Sequence, residues 1–308
     1  MPERPTDQIY EELRPLLFSI AYRMIGSVGE AEDIVQEAFL RYHRAQSEGE
    51  EIDSPKAFLS TVTTRLAIDY LRSARAQREE YVGEWLPEPL LTDPDADTAQ
   101  HAETADSLSL AFLVLLESLT PVERAVFLLH DVFGYGYDEV SGVVGKSEDN
   151  TRQLAVRARH HVDDRRPRFE ASREERERLA DRFFDAVEEG DTDGLVGLLA
   201  QDVVVYGDGD RRGPAWRQPI YGRDNVSKLL LSLGTQLMKV GATFRRTEIN
   251  GQPGALFLDR DGRLISTFSL DVADGTIQTI RSIANPDKLA HLGPVANVRA
   301  LLREIHER

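Results

Sequence analysis

Gly26-Ser27-Val28-Gly29-Glu30-Ala31-Glu32-Asp33-Ile34-Val35-Gln36-Glu37-Ala38-Phe39-Leu40 is the stretch on which the reading of this chain turns. Gly26 is placed to end one helix, because glycine takes the left-handed backbone of a C′ position without strain. Ser27 and Glu30, three apart, form the capping-box pair that opens the next. Ala31, Ile34, Val35, Ala38, Phe39 and Tyr42 then fall on one face, leaving Asp33, Gln36 and Glu37 on the other. Upstream, Ile9, Leu13, Leu16, Leu17, Ile20 and Met24 repeat the helical period. Downstream, a polar loop ends at Ser54-Pro55, an N-cap followed by proline at the first helical position. Phe58, Leu59, Val62, Leu66, Tyr70 and Leu71 give a third helix its inward face. Three helices with short connections predict a bundle over residues 1–80.

Residues 81–105 are a different material. Trp85-Leu86-Pro87-Glu88-Pro89 leads into an acidic, proline-broken run with neither helical nor strand period, which reads as an extended linker. Helical periodicity resumes near Ser107 and continues past a Thr120-Pro121 cap. Beyond Gly134-Tyr135-Gly136 come a short helix, a turn at Gly145-Lys146-Ser147 and an arginine-bearing helix from about Glu148 to Asp163. These are the ingredients of a helix-turn-helix, placed within residues 106–170. Residues 171–308 change character again, with an amphipathic helix ending at Gly190, a strand around residues 203–206 and a helix from about Asp224 to Met238. Strands separated by Asn250-Gly251, Asp261-Gly262 and Asp274-Gly275 follow, each a strong hairpin signal. The expected architecture is multi-domain: two all-α domains, then an α+β domain whose curved sheet wraps around helices and commonly encloses a pocket.

Composition bounds the function. The 308 residues carry a net charge of -16, and 41% of them are hydrophobic. A self-sufficient nucleic-acid binder is usually basic, so affinity for DNA has to be lent by a larger partner. Arginines nevertheless cluster in two helices, at Arg65, Arg72, Arg75 and Arg78, and at Arg152, Arg157, Arg159, Arg165, Arg166 and Arg168. The absence of cysteine excludes disulfides and thiolate metal sites and fits a reducing cytoplasm. Neither a signal-peptide pattern nor an 18-residue apolar run is present, so the expectation is a cytoplasmic protein without a membrane partner.

The quoted stretch, with its Ala-Glu-Asp-Ile-Val-Gln-Glu core, resembles the region 2 core-binding helix of extracytoplasmic-function (ECF) sigma factors of the sigma-70 family. Thr151-Arg152-Gln153-Leu154-Ala155-Val156-Arg157-Ala158-Arg159 is similar to the region 4 recognition helix of that family. Trp85-Leu86-Pro87-Glu88-Pro89 and Asn285-Pro286-Asp287-Lys288-Leu289 resemble motifs of its members with a fused SnoaL-like domain of the NTF2-like fold. The resemblance spans nearly the whole chain. It implies region 2 over residues 1–80, region 4 over 106–170 and a SnoaL-like regulatory domain over 171–308, with core RNA polymerase and promoter DNA as partners.

On that resemblance Asp33, Gln36 and Glu37 dock on the polymerase, although such a face on its own is equally that of a solvated helix. Ile52, Asp53, Ser54 and Arg65 match the positions that capture a flipped base of the -10 element, and Arg72 shares the face of Arg65 one heptad on. Arg152, Gln153, Val156 and Arg157 share one helical face and suit readout of the -35 element: arginine pairs with guanine, glutamine with adenine, and valine meets a thymine methyl.

In the last domain Tyr206, Asp208, Trp216, Tyr221 and His291 are the residues that could serve as general acid or base, but no spacing joins them into a catalytic set. Asp208-Gly209-Asp210 lacks the bidentate glutamate of a calcium loop, so no metal and no cofactor are expected. A small-molecule ligand in this domain would fit either of two readings, a sigma factor regulated in cis or a SnoaL-like enzyme or ligand sensor tethered to a helix-turn-helix. The first takes the protein as a non-enzyme. It also has the apolar Trp85, Leu86 and Pro87 dock on the C-terminal domain near Tyr221 and the 285–289 motif, since apolar side chains in an acidic loop seek a groove.

Overall fold

Local capping sets the helix boundaries in this computed structural model, which describes residues 6–79, 84–92, 107–163, 171–209, 218–298, 300, 301 and 303. The Ser27 hydroxyl accepts from the Glu30 amide (3.3 Å), while Gly26 sits at φ 72°. They separate α1 (Thr6–Ile25) from α2 (Val28–Ser47). The Ser54 hydroxyl accepts from the Ala57 amide and opens α3 (Pro55–Glu79). Leu17, Val35, Ala38, Tyr42 and Leu59 form the centre of this three-helix core.

The chain divides into two compact units. The first joins the three-helix bundle to residues 113–166, among them α5 (Pro121–Phe127), a π-helical turn (Leu128–Val132), α6 (Tyr137–Val144) and α7 (Glu148–Asp163). A reciprocal capping box between Thr120 and Glu123 starts α5. Gly145, at φ 66°, turns the chain between α6 and α7, and this left-handed turn is what makes the pair a helix-turn-helix.

The second unit contains residues 81–112 and 167–308, and thus both ends of the short helix α4 (Leu110–Leu116) do not belong to one unit. Its helices are α8 (Arg173–Glu189), α9 (Thr192–Leu198), α10 (Arg223–Lys239) and the short α11 (Pro286–Leu289). Its sheet runs β1-β4-β5-β6-β7-β2-β3, from β1 (Leu91–Thr92), β2 (Leu199–Asp208), β3 (Ile220–Tyr221), β4 (Thr243–Ile249), β5 (Gln252–Leu258), β6 (Leu264–Ala273) and β7 (Thr276–Ile283). β4 to β7 form the antiparallel meander read from the turn residues. Asn250-Gly251 and Asp274-Gly275 have positive φ at both positions, as two-residue turns between right-twisted strands require. The sheet is mixed, however, because β2 pairs with β7 in parallel. β1 is a second addition: residues 91–92, inside the expected linker, pair with β4 as Leu91↔Ile249 and Thr92↔Glu248.

One face of the sheet packs on α8 and α10 through Phe183, Phe184, Leu230, Phe257 and Phe268. Ring pairs Phe183–Phe184, Phe184–Phe244, Phe244–Phe257 and Phe257–Phe268, with centroids 4.1–6.3 Å apart, fill this interior. Gly254 allows β5 and β6 to close over it, since a Cβ there would lie 2.3 Å from the Phe268 carbonyl oxygen. Gly254→Ala should therefore lower the unfolding temperature of the second unit, by a destabilisation of about 1–3 kcal/mol. A calorimetric transition unchanged from the parent would show that the strands separate at no cost.

Candidate nucleic-acid interface

On α2 the polar face is laid out as expected. Asp33 and Gln36 are exposed and Glu37 half-buried, with Glu37 paired to Arg41 at 2.7 Å. Leu40, 61% exposed, continues the stripe one heptad from Asp33, so the surface carries apolar area that the sequence reading did not assign to it. The loop before α3 is more constrained: Ser54 is spent as a cap, Ile52 packs against the bundle core, and Asp53 is exposed.

Arg65 and Arg72 both lie on the exposed side of α3. Arg72 pairs with Asp69 at 3.2 Å. Arg65 instead reaches the helix-turn-helix, donating through Nε to the Val143 carbonyl (2.9 Å) and through a terminal nitrogen to the Gly142 carbonyl (2.8 Å). These are orphan carbonyls at the C-terminus of α6, where a guanidinium satisfies the acceptors and meets the negative end of the helix dipole. The same contact holds Ser60 against the Tyr135 hydroxyl at 2.8 Å, both buried, with Lys56 over the Tyr135 ring. Burial pushes the Tyr135 phenol up, which keeps it neutral. Arg124 of α5, also buried, donates to the Met24 carbonyl of α1 and to Glu117 (2.8 Å). Of the residues that the resemblance gives to base capture, Arg65 is thus engaged by the other arginine-bearing lobe. Of the remaining arginines read from sequence, Arg165, Arg166 and Arg168 and the side chains of Arg75 and Arg78 lie outside the described residues.

Arg152, Gln153, Val156 and Arg157 all project from the exposed face of α7, while Thr151, Leu154, Ala155 and Ala158 are buried beneath them. Arg152 pairs with Glu148 on its own helix and lies 4.8 Å from the centre of the Tyr137 ring. The Glu148 hydrogen bond raises its pKa further, so its charge is fixed. Arg157 is more loosely held, 3.8 Å from Glu123.

The second unit holds the segment between the two helical lobes. Asp208, at the end of β2 with its side chain fully buried, accepts from the Leu86 amide (2.8 Å) and from Lys288 Nζ (2.6 Å). Lys288 also donates to the Leu86 carbonyl and lies 4.5 Å from the centre of the Trp85 ring. One ion pair therefore grips both backbone groups of Leu86, whose side chain is buried together with Pro87. Farther along, Asn250 exchanges bonds with Leu90: its side-chain oxygen accepts from the Leu90 amide (2.9 Å) and its own amide donates to the Leu90 carbonyl (2.8 Å). The Asn250 side-chain nitrogen then donates to the Leu108 carbonyl (3.0 Å). His291 bonds the Pro89 carbonyl at 2.8 Å, and Thr92 donates to Glu248 at 2.6 Å.

Asn285 caps α11, which brings Lys288 and the buried Leu289 to this seat, while Pro286 and Asp287 form the outer turn. Tyr221 stands 59% exposed on β3, so its ring is no part of the buried seat. Asn250 and Glu248 are contributors that sequence reasoning missed, since Asn250 registers there only as a turn residue.

Two of the nominated acid–base residues, Asp208 and His291, are engaged with this backbone. Tyr206 lies against Arg281, 5.7 Å from its ring centre, and burial raises its phenol pKa; Trp216 and Asp210 lie outside the described residues. Between the sheet and its helices a void of about 10 Å³ is lined by Phe183, Phe184, Phe257, Phe268 and other apolar groups. That is room for one water at most, with no polar partner for it. Among the described residues no group of three metal-ligating side chains converges, and no helix is long and apolar enough to cross a membrane.

Comparison with known proteins identifies the two helical segments. The family model for Sigma-70 region 2 matches residues 9–77, and that for Sigma-70, region 4, matches residues 109–162. The chain is 38% identical over 291 residues to the ECF RNA polymerase sigma factor SigJ of Mycobacterium tuberculosis, covering 91% of each chain. It is 30% identical over 295 residues to the ECF RNA polymerase sigma factor SigG of the same species, covering 86% of this chain and 76% of that one. The crystal structure of SigJ superposes with a TM-score of 0.72 at 36% identity, over 91% of this chain and 97% of that one.

Two consequences are measurable on the free protein. Asn250→Gly keeps a turn-competent backbone but deletes the side chain that holds Leu90 and Leu108, so hydrogen exchange at the Leu90 amide should quicken severalfold to about tenfold, as expected for loss of a part-buried bond of roughly 0.5–1.5 kcal/mol. Exchange as slow as in the parent would show that the segment is held elsewhere. Arg65→Ala should broaden the distance distribution between spin labels on α2 and α7; an unchanged distribution would make the Arg65 contact incidental.

Proposed function

The chain belongs to the extracytoplasmic-function family of RNA polymerase sigma factors, and we propose that it directs promoter-specific transcription initiation under the control, in cis, of its own C-terminal domain. In this reading Asp33, Gln36 and Glu37 meet core RNA polymerase in the cytoplasm. Arg65 and Arg72, with Ile52, Asp53 and Ser54, serve the -10 element, and Arg152, Gln153, Val156 and Arg157 read the -35 element. The acidic whole and its two basic faces suit a factor that takes hold of DNA on polymerase and not before.

One observation carries the regulatory part. The Asp208–Lys288 pair and Asn250 bind the segment that joins the two helical lobes, so the C-terminal domain fixes a tether whose proline-rich, acidic sequence would otherwise leave it loose. A small-molecule enzyme tethered to a helix-turn-helix is less well supported, because the domain interior is packed with phenylalanine and Asp208 and His291 are committed to the tether.

Trp85→Ala removes the ring over Lys288, a contact of about 0.5–2 kcal/mol. Run-off transcription by core polymerase with this variant should differ from the parent at the same promoter, and residues 84–92 should become accessible to protease. Parent-like transcription together with increased cleavage would show a tether that has no regulatory role.

A further inference from the structure

We infer that Tyr137 is a positioning residue for promoter readout, which presents Arg152 to its base pair; the inference rests on the proposed role of Arg152. Tyr137 is the first residue of α6, on the helix that does not itself enter the groove in the reading above. Its ring stacks on His130 with centroids 3.9 Å apart and planes inclined by 26°, and His130 is in turn tied through Nδ1 to the Tyr135 carbonyl at 2.8 Å. The Tyr137 hydroxyl accepts from Arg159 (3.0 Å), whose Nε donates to Asp131. The ring is thereby fixed by two contacts, and the Arg152 guanidinium lies over it at 4.8 Å.

The remaining support for Arg152 is Glu148, one turn back on the same helix. An exposed i,i+4 pair leaves a long side chain free to swing, because both partners are flexible and water screens them. A flat, anchored ring from a second helix supplies a further point of support, and a guanidinium stacks on an aromatic face while its edge stays free to donate. Holding Arg152 before DNA arrives spares part of the rotamer entropy that readout otherwise loses. Among the described residues Arg157 meets Glu123 at 3.8 Å and no aromatic ring, so it serves as an internal control on the same helix.

The test uses the full chain with core polymerase, titrated against promoters changed one base pair at a time across the -35 element. Arg152→Ala and Arg157→Ala first assign each arginine its base pair. Tyr137→Leu should then lower base preference roughly three- to tenfold at the Arg152 pair, part of the discrimination that one arginine–guanine pair carries, and leave the Arg157 pair unchanged. Tyr137→Phe, which keeps the ring, should retain the preference. In an Arg152→Ala background Tyr137→Leu should change preference no further. Tyr137→Met, apolar and of similar length, replaces the leucine variant if that variant melts below the assay temperature. A uniform loss on every promoter, with Arg152→Ala still specific, would overturn the positioning role alone. If Arg152→Ala changes preference nowhere, both the readout assignment and the inference fall.

Discussion

A carboxylate and an ammonium that exclude water between them hold the second unit to the chain that passes over it. Asp208 and Lys288 lie 80 residues apart in sequence, and each has an obligation beyond the other: Asp208 takes the Leu86 amide, and Lys288 takes the Leu86 carbonyl and the Trp85 ring. Burying two charges is expensive, and an apolar pair of the same size would often hold as well. What an apolar pair does not do is read a backbone. Each charge also takes one backbone group of Leu86, so the pair favours one register for the 84–92 segment, and Asn250 and β1 extend that register toward Thr92. Geometric selectivity, more than adhesion, is what the ion pair adds.

The other unit meets a similar problem largely through backbone acceptors, beside the buried Arg124 paired with Glu117. Its two arginine-bearing lobes are joined by neutral acceptors: the carbonyls ending α6 receive Arg65, and Met24 at the end of α1 receives Arg124. Bonds of this kind are easily exchanged. In the proposed reading, promoter DNA offers Arg65 a phosphate or a base edge as replacement for these carbonyls but offers none for the Ser60–Tyr135 bond.

Much of this was legible in the sequence, for a physical reason. Ser27, Thr120 and Gly145 act within three or four residues of themselves, and Asn250-Gly251 and Asp274-Gly275 specify their turns locally, so helices, the helix-turn-helix and the hairpins follow from short-range chemistry. Trp85 and Leu86 stand out in the sequence as apolar side chains in acidic surroundings, and the structure places them beside Lys288. The parallel β2–β7 pair and the capture of residues 91–92 as an edge strand were not legible, because pairing between distant segments has no local signature. Nor was the ring packing of the interior, since which of Phe183, Phe184, Phe244, Phe257 and Phe268 meet depends on how distant segments pair. Asp208 and His291 look alike as acid–base candidates and as anchors, and only their partners distinguish the two.

Control in cis requires that the tether's attachment govern initiation. The native chain has no cysteine, so Thr92→Cys with Glu248→Cys introduces one lockable pair at adjacent positions of β1 and β4. Run-off transcription by core polymerase with the oxidised and reduced forms of that variant is the direct measurement. Cis control predicts a severalfold difference in transcript yield between the two forms, reversed on addition of reductant; equal yields, with the disulfide verified by mass, would contradict it.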